Sequence, residues 1–252
     1  MKNEKDLVKM NDRDTQENER SRHSEERITH MRRIIAANMQ NSLLHSAQLT
    51  HHSSFDATAV LEFRARCKAY PQDSWQHGVT INDILLFATA RTLTKFKYMN
   101  AHCNGETISG FEHVNLGVAV DTPRGLMVPT LFMAESKRLK EISCESKALA
   151  SAAKTGKISP ELLSGATFTV TNLGSMRIES FTPILNPPQV GILGVCCVSE
   201  RVKTVDGVQI TYPAMGLSLT YDHRAVDGAP ASQILRSLAE MLEGFDANMD
   251  DC

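Results

Sequence analysis

The stretch Gly216-Leu-Ser-Leu-Thr-Tyr-Asp-His-Arg-Ala-Val-Asp-Gly228 decides how the rest of this 252-residue chain is read. Leu217, Leu219 and Tyr221 alternate with Ser218, Thr220 and Asp222, the period of two of a strand leaving a core. Asp222, His223, Arg224 and Asp227 then crowd titratable groups into six positions. Asp227-Gly228 is a turn signal, and Ala229-Pro-Ala-Ser-Gln opens a helix. A histidine held at a strand end between carboxylates and a guanidinium is well placed to act as a base.

Working outward, Val190 to Val198 is almost continuously apolar, as expected for a strand buried on both faces, and Val205-Asp-Gly-Val reads as the hairpin turn into the opening strand. Ala166 to Gly174 is a strand followed by a glycine-marked turn. His113 to Val120 and Leu126 to Phe132 read as two strands around the turn Asp121–Gly125, with Pro129 marking an edge or a bulge. Helical periods run from Ile28 to about Ser46, from Asp56 onward, from an N-cap at Thr80 to Phe96, from Glu135 to Lys154, and from Ala229 to about Leu242. Gln48 to Asp56 is extended, Pro71 to Gly78 is a loop, and Asn104-Gly105 is a hairpin turn. This order predicts one α/β domain with a mixed β-sheet flanked by helices. Residues 1–27 are almost wholly polar and read as a disordered or linker tail, leaving 28–252 as the folded domain.

A formal net charge of −2, with 42% hydrophobic and 22% charged residues, fits a globular chain and gives no general attraction to nucleic acid or to a membrane surface. The sequence holds no apolar run long enough for a transmembrane helix, and the first residues carry no apolar signal segment. The six cysteines form no disulfide framework and no C-x-x-C pair, so a reducing, cytoplasmic compartment is expected.

Neither a dinucleotide-binding or phosphate-binding glycine loop, nor H-E-x-x-H, nor G-x-S-x-G is present. His51-His52 and His102-Cys103 lack zinc-ligand spacing, so no metal is expected. Local chemistry leaves His223 open between a base and an exposed member of a structural ion-pair turn. Thr171, in the alternation Thr167, Thr169, Thr171, reads locally as an ordinary β-branched strand residue. Asn172-Leu-Gly174 puts a polar turn at that strand's end, where a ligand could meet it.

Asp222-His-Arg-Ala-Val-Asp-Gly228 resembles the D-H-R-x-x-D-G signature of the dihydrolipoamide acyltransferases, the E2 components of 2-oxoacid dehydrogenase complexes, whose catalytic domain is related to chloramphenicol acetyltransferase. Further blocks agree in order: Met31–Ala36, Thr80–Asp83, Asn115–Pro129, Gly165–Gly174 and Asn186–Gly194. The similarity spans about residues 28–243.

The resemblance implies a chloramphenicol acetyltransferase-like fold and transfer of an acyl group between the dihydrolipoamide thiol and coenzyme A. His223 falls on the family's general base. Thr171 stands where the family usually carries the serine that donates to the oxyanion. Asp227 falls on the motif aspartate, which supports the loop through an arginine, here Arg33 or Arg224. Asn172, Gly174 and Asp121 are placed at the coenzyme A site. Family members are homotrimers with sites between subunits, and the trimers often assemble into cages. The resemblance leans towards acetyl as the acyl group. No Asp-Lys dipeptide of a lipoyl-lysine motif is present, so the lipoyl group is expected on another domain or protein, and the polar C-terminus favours an isolated trimer over a cage. Two further readings are a coenzyme A-dependent acyltransferase with a non-lipoyl acceptor and a non-catalytic trimeric core subunit.

Overall fold

A computed structural model describes residues 25–246 of the chain. In chain order its strands are β1 (Gln48–Asp56), β2 (Ala101–Cys103), β3 (Ile108–Gly110), β4 (Leu116–Val118), β5 (Val120–Thr122), β6 (Gly125–Met127), β7 (Thr130–Leu131), β8 (Phe168–Asn172), β9 (Gly191–Val205) and β10 (Val208–Asp222). The helices are α1 (His30–Leu44), α2 (Thr58–Lys68), the single turn α3 (Trp75–Gly78), α4 (Ile81–Leu93), α5 (Leu139–Thr155) and α6 (Gly228–Glu243). Most of the tail expected over 1–27, and the last six residues of the polar C-terminus, lie outside the described residues.

The apolar run at 190–198 becomes the middle of a six-stranded sheet of order β1-β10-β9-β8-β4-β7. β9 is buried from Gly191 to Cys196 because it has neighbours on both edges, β10 antiparallel and β8 parallel. The sheet is therefore mixed, as the element order predicts. β10 leaves β9 through a two-residue turn in which Asp206 and Gly207 have φ of 50° and 82°, the left-handed pair of a tight hairpin. Its second half is then covered by β1 along the full register Gln48↔Asp222 to Asp56↔Ala214. That pairing buries the alternating residues of the opening stretch and ends at Asp222.

α6 carries a continuous apolar stripe, Ala231, Ile234, Leu235, Leu238, Ala239 and Leu242, and packs on β1 and α4. Each Leu or Ile so buried contributes about 1.5–3 kcal/mol. α4 begins with a capping box: the Thr80 hydroxyl accepts from the Asp83 N–H and the Asp83 carboxylate accepts from the Thr80 N–H.

Three expectations are corrected. The two strands read over 113–132 are four short ones. β4 and β7 belong to the main sheet, while β5 and β6 peel off as a separate ribbon. Pro129, with no N–H, cannot continue a ladder, and Asp121 and Leu126 face solvent. The helix expected from Glu135 begins only at Leu139, after a 3-10 turn at Ala134–Ser136, where the Glu141 carboxylate accepts from the Arg138 N–H. The loop read over 71–78 contains the turn α3, capped by the Ser74 hydroxyl.

Candidate active site

The loop after β10 is fixed at its base by Asp222. This carboxylate is 2% exposed and accepts from Arg224 Nη2 at 2.7 Å, from Arg224 Nε at 3.0 and 3.1 Å, and from the N–H groups of Arg224 and Ala47 at 3.0 and 3.3 Å. Burial by itself would raise its pKa, but these bonds outweigh it and hold it below the ordinary carboxylate value. The His223 N–H donates to the Ala47 carbonyl at 2.8 Å, which leaves the imidazole projecting into solvent. Its Nδ1 lies 3.7 Å from Asp227 Oδ1, and its ring leans on Tyr221 at 5.9 Å between centroids. Arg224, one of the two arginines expected to hold Asp227, is instead committed to Asp222, and the Asp227 side chain is exposed.

Tyr221 is in turn held from behind. Its hydroxyl is 3.1 Å from His51 Nε2, and His51 Nδ1 is 3.1 Å from the Ser232 hydroxyl. Ser232 donates to the Gly228 carbonyl at 2.9 Å, so it accepts from Nδ1–H, and Nε2 is left to accept from Tyr221. This chain ties β1, β10 and α6 together across the His223 loop. His51 carried no signal in the sequence, because its role depends on the pairing of strands 170 residues apart.

The second group of predicted residues lies elsewhere. Thr171, Asn172 and Gly174 close β8. The Asn172 amide oxygen accepts from the Gly174 N–H at 2.9 Å, and its Nδ2 donates to Asn82 Oδ1 at 3.0 Å. A side chain at Gly174 would place its Cβ 2.8 Å from the Cys196 carbonyl oxygen, so the turn closes only with glycine there. Asn172, Gly174 and Asp121 line one cleft of about 850 Å³, whose other walls come from α4, from the α5 face bearing Lys147, Ala150 and Lys154, and from Arg177. That volume is ordinary for a cofactor site. Arg177 holds a φ of 60°, a costly conformation for a non-glycine residue, at the mouth of the cleft.

The structure thus joins Asn172, Gly174 and Asp121 and keeps His223 apart from Thr171. Thr171, Gly194 and Ser218 lie side by side on β8, β9 and β10, and His223 is five residues further along β10. Because β10 runs antiparallel to β9 and β8, His223 lies just past the end of the sheet at which β8 begins, and Thr171 lies near the end of β8 itself. Strand geometry puts them about 17 Å apart along the strands and two strand spacings across, about 19 Å in all. Among the described residues no group of three His, Cys, Asp or Glu side chains is placed to hold a metal, and no helix is long and apolar enough to cross a membrane.

The family model described as 2-oxoacid dehydrogenases acyltransferase (catalytic domain) matches residues 20–249. The chain is 38% identical over 217 residues to the dihydrolipoyllysine-residue acetyltransferase component of the acetoin cleaving system of Bacillus subtilis, covering 86% of this chain and 54% of that protein. It is 37% identical over 219 residues to the succinyltransferase component of the 2-oxoglutarate dehydrogenase complex of Bartonella vinsonii, covering 86% and 53%. The chain therefore spans about half the length of these curated relatives. Among solved structures, the dihydrolipoamide acetyltransferase of Azotobacter vinelandii matches with a TM-score of 0.82 at 32% identity, covering 88% of this chain and 92% of that one. The cubic core of a pyruvate dehydrogenase multienzyme complex matches with the same figures. A chloramphenicol acetyltransferase shares the fold, with a TM-score of 0.51 at 12% identity. By its sequence and by its fold, the chain belongs to the family of 2-oxoacid dehydrogenase acyltransferase catalytic domains.

Proposed function

We propose that this chain is a coenzyme A-dependent acyltransferase that moves an acyl group, acetyl in preference to succinyl, between dihydrolipoamide and coenzyme A. Residues 28–252 form the catalytic domain, 1–27 a tail, and the lipoyl group arrives on another domain or protein. The observation that carries the reading is the pair of half-sites: an exposed imidazole on a hydrogen-bonded loop past the end of β10, and the end of β8, where Thr171 adjoins Asn172 of a cofactor-sized cleft.

The chemistry follows from what each group can do. A thiol is a poor nucleophile until it loses its proton. His223 accepts that proton at an imidazole nitrogen, and the thiolate attacks the thioester carbonyl carbon. The carbonyl oxygen becomes an oxyanion, to which the Thr171 hydroxyl donates a hydrogen bond, a contribution of about 2.7–4 kcal/mol for one such donor. The intermediate collapses by breaking its bond to the departing sulfur, which recovers the proton from the imidazolium. Asn172, Gly174 and Asp121 line the coenzyme A end. Asp227 supports the loop near Nδ1 of His223 and carries no proton in the scheme.

A single chain presents the two halves about 19 Å apart, too far for one tetrahedral centre to touch both. The site is therefore completed between subunits of a homotrimer, His223 from one and Thr171 from the next. Exposed Ile28, Met31, Ile34, Leu43 and Leu44 in and beside α1, and exposed Val202, Val205, Val208 and Ile210 on the β9–β10 hairpin, are apolar surface that such a partner would cover. The five cysteines among the described residues are free thiols, in keeping with a reducing, cytoplasmic setting.

The test is a panel of acyl-coenzyme A donors with free dihydrolipoamide, run beside His223→Ala. Acetyl transfer by the wild type, and its loss in a variant that melts normally, is the expected result. Near-normal turnover by His223→Ala would sink the assignment.

A further inference from the structure

We propose that Lys147 binds a phosphate of the acyl donor and that buried Asp83 is the positioning residue that aims it. The inference rests on the coenzyme A reading above and extends it to one side chain on the cleft wall. α5 reads at first as a polar helix packed by Leu139, Ile142 and Leu149. Two serines, Ser143 and Ser146, interrupt that buried stripe. Both donate to Asp83 at 2.9 Å, Ser143 to Oδ2 and Ser146 to Oδ1, while the Thr80 N–H donates to Oδ2 at 2.8 Å. The carboxylate, 2% exposed, is thus satisfied by neutral donors from two helices.

Lys147 joins this network from the solvent side. Its Nζ donates to the Ser143 hydroxyl at 2.6 Å and stands 3.7 Å from Asp83 Oδ2, with 45% of the side chain exposed. An ammonium has three donors, and one is used on Ser143. The remaining two are free to meet an anion in the cleft, which Lys147 lines together with Lys154, two turns further along α5, and Arg177 from the turn after β8. Gly78 leaves the room: a Cβ there would stand 3.2 Å from Nζ.

Three cations in this cleft are set against two carboxylates, Asp83 and Asp121. The wall therefore attracts an anion by where its ammonium groups stand rather than by a large net field. That makes positioning decisive. Phosphates are the anionic groups that distinguish a coenzyme A donor from its bare thioester arm, and a lysine meets them as a point charge. A lysine that merely neutralised Asp83 would affect stability and leave donor choice alone.

The test compares acetyl-coenzyme A, its 3′-dephospho form and acetyl-pantetheine as donors to dihydrolipoamide. Lys147→Gln is expected to raise KM for acetyl-coenzyme A about tenfold, the value of one charged contact, with kcat within about twofold. The preference for acetyl-coenzyme A over acetyl-pantetheine, as a ratio of kcat/KM, falls by the same factor, and Lys147→Arg recovers most of it. Ser146→Ala, which loosens Asp83 without touching the cleft lysine, lowers the same ratio by a smaller factor. If Lys147→Gln shifts all donors equally, or lowers only the melting temperature, Lys147 is structural and the inference falls while the transferase reading stands. If the wild type transfers from none of the donors, the transferase reading itself fails and takes the inference with it.

Discussion

The separation of His223 from Thr171 makes a sharp prediction about mixed assemblies. In the register, Thr171 is level with Ser218, five residues short of His223, and two strands away. At about 3.3 Å per residue and 4.8 Å per strand the gap is about 19 Å, whereas a base and an oxyanion donor serving one carbonyl must each come within about 3 Å of their targets. Thr171→Ala alone should lose about 10²–10³ in kcat with little change in KM. His223→Ala alone should be inactive. When the two variants are mixed at equal ratio, by coexpression or by refolding together, each interface draws its histidine from one chain and its threonine from the next. A site is whole only when the first chain is the Thr171→Ala variant and the second the His223→Ala variant. Random assembly in a closed ring makes about one site in four wild type. Steady-state transfer should therefore recover to about 25% of the wild-type rate, far above either variant alone. No recovery above the Thr171→Ala residue of activity would mean that both groups serve one site within one chain, or that one of them is outside the mechanism.

Other outcomes follow from the same geometry. Asp222→Asn breaks a carboxylate–guanidinium pair that is buried on one side and partly exposed on the other, so the cost is about 2 kcal/mol, or roughly 4–8 °C in Tm for a chain of this size. Because Arg224 and two N–H groups hold the Asp222 pKa below its unfolded value, its stabilisation is present above about pH 4 and is lost as the pH falls through the lowered value. Melting curves of wild type and Asp222→Asn should thus differ at pH 6 and converge towards pH 3; a constant offset would refute the linkage. Gly174→Ala pushes a Cβ to 2.8 Å from a backbone carbonyl and 3.1 Å from Asn172 Oδ1, so it should lower stability by about 1–3 kcal/mol and raise KM for the donor more than it lowers kcat, as donor titrations would show. Light scattering of the purified chain should give a trimer, and a particle of 24 or more chains would refute the isolated-trimer expectation.

Much of the fold was legible because its signals are local. The alternation before Asp222 and the apolar run at 190–198 each needed only neighbouring residues to be read, and the structure places them as β10 and the buried half of β9. The cap at Thr80 likewise depends on contacts within a turn. Residues 113–132 differ where the local signal is weakest: short strands broken at Ala119 and at Pro129 look continuous until their partners are known. The candidate groups His223, Thr171, Asn172, Gly174 and Asp121 were marked by motif, but their spatial relation was not. Only the parallel pairing of β8 with β9 and the antiparallel return of β10 decide that the histidine lies five residues and two strands away from the threonine.

Two further features were invisible for the same reason. The chain Ser232–His51–Tyr221 and the network Asp83–Ser143–Ser146–Lys147 link residues 60 to 181 positions apart. The second of them touches the sequence at the Thr80–Asp83 cap and at the serines of α5, since a serine at a buried helical position needs a polar partner. Periodicity says which face of an element is buried; it carries no information about which distant group meets that face. The sequence by itself determined the elements, the family and the reactive residue types. The tertiary structure alone decided how far apart His223 and Thr171 stand within one chain, because strand direction and register are set by pairing across the sheet and not by any stretch of chain on its own.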